Sequence, residues 1–137
     1  MWWLYALLSA VFAALTAVLA KVGIQGVDSN LATAVRTCVV LVLAWGIVYF
    51  RGGLEQLGLL TRTNLLFLGL SGVATGLSWL CYFRALQLGQ VAQVAPVDKL
   101  SVAIAIGLSA LFLGEKLSWH TGLGAGLIIA GTLVLIR

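Results

Sequence analysis

Three charged side chains stand where charge is costly: Arg36, Asp98 and Lys99 each lie inside a long apolar run. An ionised group in hydrocarbon must pair, reach the headgroups or face water, and such groups mark solute and ion pathways. Arg36 and Lys99 supply N–H donors and positive charge, and Asp98 supplies a carboxylate. Gln93 adds an amide nearby, and Trp79 and Tyr82 could enclose the apolar part of a substrate. A helix start within the bilayer, lined by Arg36, Gln93, Asp98 and Lys99, could hold a polar solute near its dipole. The two cations outnumber the one acid, which favours an anionic or zwitterionic solute. A plainer reading of the same residues puts Pro96 at the first position of a helix, where its missing N–H costs nothing. Asp98 then sits in the first turn, where the dipole favours an anion, and Lys99 snorkels to the headgroups. The two readings are compatible.

Other chemistries find no residues. No nucleophile–base pair, phosphate-binding loop or metal-ligand spacing is present, so neither an enzyme nor a bound cofactor is expected. His120 stands alone at an interface. Cys38 and Cys81 fall inside apolar runs and read as free thiols between helices. The net charge of +4 is small and scattered. It suits headgroup anchoring and argues against nucleic acid.

The elements that must carry these residues are membrane spans. Charged residues make up 9% of the 137-residue chain and hydrophobic ones 62%. A soluble domain carries about 25% charge. A span needs about 20 mostly apolar residues. Five segments qualify, at about 2–22, 31–50, 64–86, 95–114 and 119–136. They define an all-α, polytopic membrane protein with one domain over 1–137 and lipid as its solvent. The fourth segment is the awkward one, because its uncharged part is short and must extend upstream past Lys99 and Asp98. Val18-Leu19-Ala20 resembles a signal-peptide cleavage site, but the run lacks a basic start and more apolar segments follow. It reads as the first span, with Trp2, Trp3 and Tyr5 in an interfacial belt. The runs are continuous and not alternating, which excludes barrel strands.

Within the spans, Thr75, Ser78 and Tyr82 share a helical face and read as back-bonding and packing, or as cavity lining. Gly72 with Gly76, and Gly122 with Gly126 followed by Gly131, have the small-residue spacing that lets helices approach closely. They are the expected helix-pair or dimer contacts, the last helix first.

Five spans put the termini on opposite sides. The side with the N-terminus holds Arg51, Arg62 and Lys116, and the other holds Lys21, Arg84 and Arg137. The positive-inside rule gives no clear orientation from such a tie. Chance in a small protein explains it, and so does dual topology, in which a chain pairs with an inverted copy of itself.

The segment from Gly72 to Gly89 resembles the third helix of EamA-type proteins in the drug/metabolite transporter superfamily. The carrying pattern is aromatic–x–Ala-Leu–x–x–Gly, here Tyr82 through Ala85 and Leu86 to Gly89. Val91 to Pro96 is similar to the entry to the family's fourth helix. Leu113-Gly114-Glu115 is similar to its Leu-Gly-Glu turn, and Gly122 to Gly131 to its glycine-rich last helix. The resemblance covers essentially the whole chain. It implies a transporter built from five-helix units, usually two per chain and mutually inverted, of which this chain holds one. It therefore implies pairing, most economically as an antiparallel homodimer in a bacterial or archaeal inner membrane, moving a small polar or amphipathic metabolite or drug. The related small multidrug resistance proteins exchange protons through a Glu in the first helix. No acid lies there in this sequence, and proton coupling would have to use Asp98. The alternatives are a half-transporter with a different partner chain, and a membrane assembly or regulatory subunit that transports nothing.

Overall fold

The computed structural model describes residues 1–136. Its elements are helices α1 (Trp2–Gly23), α2 (Ser29–Phe50) and α3 (Arg62–Leu88), then α4 (Val91–Asp98), α5 (Leu100–Phe112) and α6 (Trp119–Ile136). A short 3₁₀ segment, Gly53–Leu59, follows α2. No strand occurs among the described residues. Five stretches are long and apolar enough to cross a membrane, the fourth being α4 and α5 together, Val91–Phe112. Only helices and closed barrels satisfy every backbone polar group in hydrocarbon, so continuous apolar runs of this length fold as helices.

The described residues group into two compact units. One runs from Ala20 to Gln87, and the other joins Met1–Leu19 to the residues from Leu88 onward. In the first unit, α2 starts at a side-chain cap. Asp28 Oδ1 accepts from the N–H groups of Asn30 at 2.9 Å and Leu31 at 3.1 Å. This cap satisfies donors that the helix start would otherwise leave open. The end of α3 is tied down by polar side chains. The Lys21 ammonium donates to the Leu86 carbonyl, and Gln87 Nε2 donates to the Val27 carbonyl at 2.6 Å. A cation on the last carbonyls of a helix also meets the negative end of its dipole. Phe83 and Leu86 are buried above these contacts, with Ile24, Ser29 and Thr33. The 3₁₀ segment packs back on the end of α2.

In the second unit, α6 packs against both α4 and α5. The turn out of α5 uses Gly114 at φ +67°, a left-handed conformation that disfavours side chains with a Cβ. This is the Leu-Gly-Glu turn expected from the sequence. Thr132 of α6 is buried. Its hydroxyl bonds the Ile128 carbonyl at 2.8 Å and the Pro96 carbonyl of α4 at 3.1 Å.

The fourth span differs from the sequence expectation. Its helix begins at Val91, not near 95, and Pro96 lies inside α4. Asp98 is therefore the last residue of α4 and not a first-turn acid. The expected start at Pro96 rested on the cost of proline within a helix, which removes one hydrogen bond and crowds the preceding turn. Transmembrane helices tolerate this where neighbouring helices re-satisfy freed groups. Here the ladder tightens just after the proline. Lys99 N–H is shared between the carbonyls of Ala95 at 3.3 Å and Pro96 at 3.1 Å, and Val102 N–H reaches back only three residues to Lys99. That 3₁₀-type step at Lys99 separates α4 from α5.

Candidate functional site

The residues singled out for chemistry divide between the two units. Arg36, Trp79 and Tyr82 belong to the unit 20–87, and Gln93, Asp98 and Lys99 belong to the other.

Arg36 lies two turns into α2, about 11 Å from its first residue at 1.5 Å rise per residue. Trp79 and Phe83 are four apart on α3, so they occupy one face of that helix. The Arg36 guanidinium carbon lies 4.3 Å from the Trp79 ring centroid and 5.2 Å from that of Phe83. Both distances are within the range of about 6 Å in which a cation is attracted to an aromatic face. Phe83 is buried, while Arg36 and Trp79 are half-buried. Tyr82 sits edge-on to Phe83, with centroids 6.4 Å apart and planes at 69°. The structure thus joins Arg36 to Trp79 and to Phe83, and Phe83 was not singled out by composition and spacing. The available signal was its position four residues after Trp79.

The acids of this unit are elsewhere. Asp28 caps α2. Glu55 lies in the 3₁₀ segment beyond Phe50, and Phe50 itself is about 21 Å along α2 from Arg36 at 1.5 Å per residue. Of the remaining cations, Arg51 follows the end of α2 and Arg62 begins α3, while Lys21 and Arg84 are engaged at the end of α3. Lys21 bonds Leu86, and Arg84 Nη1 donates to Gln87 Oε1 at 2.9 Å.

In the other unit, Asp98 and Lys99 form an ion pair across the α4–α5 break, Nζ to Oδ2 3.3 Å. The Lys99 side chain is 55% exposed and that of Asp98 34%. A pair of this exposure contributes about 0–1 kcal/mol in water. Gln93 is exposed in the first turn of α4.

The polar face of α3 is explained in part by local bonding, since Thr75 Oγ1 donates to the Ser71 carbonyl at 2.9 Å. Thr16 does the same to Phe12 in α1 at 2.8 Å. Gly72, Gly76, Gly122, Gly126 and Gly131 make no close approach within their own units. A methyl group built on any of them meets nothing within 4 Å. No group of His, Cys, Asp or Glu among the described residues could hold a metal ion.

Five apolar spans, one of them broken at an ion pair, and an arginine held on aromatic rings define an integral multi-pass membrane protein with polar chemistry in its spans. The model of the EamA-like transporter family matches residues 1–137, and the chain belongs to that family. It is 51% identical over 134 residues to a Sinorhizobium sp. protein described as an uncharacterized transporter in the cobO 3′ region. The match covers 98% of this chain and 95% of that protein. No solved structure matches the chain.

Proposed function

We propose that the protein is a secondary transporter. It moves small polar or amphipathic metabolites or drugs across a bacterial or archaeal inner membrane, by alternating access in an antiparallel homodimer. The observation that carries this reading is the broken fourth span. Lys99 keeps helical dihedrals, φ −71° and ψ −10°, and the irregularity is one tightened turn beside a proline; irregular turns inside spans are working parts of many transporters. Here the break carries Asp98 and Lys99 and adjoins Pro96. In this reading Gln93, Asp98 and Lys99 are proposed polar contacts for a solute at the tightened turn of their own unit. Taken by itself, the other unit offers Arg36 as a polar contact and Trp79 and Tyr82 as apolar ones. Membership of a transporter family and the description of the Sinorhizobium relative support the general function.

The antiparallel dimer belongs to this proposal, and the even division of loop charges between the two sides supports it. An inverted copy supplies the second repeat that alternating access uses. The glycines of α3 and α6, open within the protomer, are its proposed contacts.

Flux of a solute panel into proteoliposomes tests transport, with Asp98→Asn and Lys99→Gln expected to reduce it. Orientation is tested by replacing Cys38 and Cys81 with Ser, introducing Leu117→Cys in the α5–α6 loop, and labelling cells with an impermeant reagent. Labelling of about half the molecules is expected on the inverted-pair logic. Labelling of all or none would sink the antiparallel homodimer and leave a parallel assembly or a different partner chain.

A further inference from the structure

Arg36 limits what the solute can be. We infer that Arg36 binds the carboxylate of a water-soluble, amphipathic monoanion, and that the transported solutes belong to this class; the second clause rests on the transport reading above.

The argument begins with what the guanidinium touches. Its contacts are aromatic: Trp79 at 4.3 Å and Phe83 at 5.2 Å. An aromatic ring carries no oxygen or nitrogen acceptor at these positions, so the two contacts leave the five N–H donors along the edge of the guanidinium without a conventional acceptor. Among the described residues of its unit, no protein acceptor is hydrogen-bonded to that edge, and no carboxylate pairs with it. This is unusual for a charge two turns inside a spanning helix. The aromatic faces stabilise the cation without neutralising it.

The chemistry of that edge selects the partner. Two parallel N–H groups match a carboxylate bidentately. A phosphate monoester could use the same donors, so charge must decide between it and a carboxylate. Arg36 contributes one positive charge, and Lys21 and Arg84 are held at the end of α3 by carbonyl and amide oxygens. One negative charge makes a neutral complex in the low-dielectric zone. A dianion leaves an excess charge there, with a desolvation penalty of several kcal/mol per ion. The surroundings then set the rest of the molecule. Trp79 is half-buried and Tyr82 lies beside Phe83, so within the described residues of its unit a ligand on Arg36 meets aromatic surface, with the Tyr82 phenol as a polar neighbour.

Direct binding to the purified full-length protein separates these possibilities. The probes are phenylacetate and hexanoate as monoanions, phenylacetamide as the neutral counterpart, and phenylmalonate as the dianion on the same ring. Decanoate in the same detergent serves as a lipid-like carboxylate. Titration calorimetry is expected to show the two short monoanions binding, and phenylacetamide and phenylmalonate each weaker by roughly tenfold or more. Arg36→Gln is expected to abolish the acid-over-amide preference, and Arg36→Lys to retain part of it. The inference is overturned if neither short monoanion binds, if the amide or the dianion binds as well as phenylacetate, or if decanoate alone binds. It is overturned too if Arg36→Gln keeps the preference. The wild-type comparison of acid with amide stands even if a variant fails to fold. Flux is scored separately. Carboxylate binding without flux of any solute retains the site and removes transport. Flux of other solutes undiminished by Arg36→Gln retains transport and removes the site.

Discussion

An arginine inside a spanning segment is costly unless something in the protein receives it, and in this protein aromatic rings do so. Cation–π contacts contribute about 0.5–2 kcal/mol, more as water is removed. Trp79→Leu removes the nearer ring while keeping an apolar side chain, so it is expected to destabilise the protein by about 1 kcal/mol. The shift of the unfolding midpoint in mixed micelles checks this. Trp79→Phe, which keeps a ring, should lose less. If Trp79→Leu matches the wild type, the ring does not hold Arg36. Arg36, Trp79 and Tyr82 were all legible as residue types out of place or on a shared face. Phe83 was not, because a phenylalanine in an apolar helix carries no mark of its own until its neighbour is known.

At the scale of elements, the fourth span shows how local rules and packing compete. Proline spacing and dipole rules favoured a helix starting at Pro96, but α4 begins at Val91 and continues through the proline. The Pro96 carbonyl accepts from both Lys99 N–H and Thr132 Oγ1, at 3.1 Å each. A hydroxyl from α6 therefore shares the bond that sets the break. Kinks arise where a proline or an inserted side chain disturbs the ladder, and both act here. Thr132→Val is expected to destabilise by about 0.6 kcal/mol, the average for a hydrogen bond between membrane helices. Thr132→Ser should restore most of that. Pro96→Ala restores an N–H toward the Ala92 carbonyl. It is expected to raise the unfolding midpoint and, on the transport reading, to lower proteoliposome flux several-fold, since the tightened turn at Lys99 relaxes toward a regular helix. Undiminished flux in Pro96→Ala would remove the break from the mechanism.

At the scale of the whole molecule, the even loop charges offer a test of the proposed inverted pair. Gln25→Lys with Gln90→Lys biases one side, and Gln56→Lys with Leu117→Lys biases the other. Each pair alone is expected to fix one orientation, read by impermeant labelling, and to lose most flux. Co-expression of the two variants should restore flux, because together they supply both orientations. Full activity from a single biased variant contradicts the inverted pair. The exposed Trp2, Trp3, Phe50 and Trp119 lie near helix ends, where aromatic side chains anchor at headgroups.

The five spans, the all-helical class and the family motifs were determined by the sequence alone. Each rests on local quantities: about 20 apolar residues cross the hydrocarbon, and the backbone there must bond to itself. The tertiary structure decided which side chains meet. Phe83 beside Arg36, and Thr132 on the carbonyl of Pro96, pair residues far apart in the chain. Those pairings depend on how neighbouring helices rotate and cross, which no short window of residues encodes. The same packing turned Asp98 from an expected first-turn cap into the last residue before a break. The residues with chemical potential were therefore readable in advance, and their partners were not.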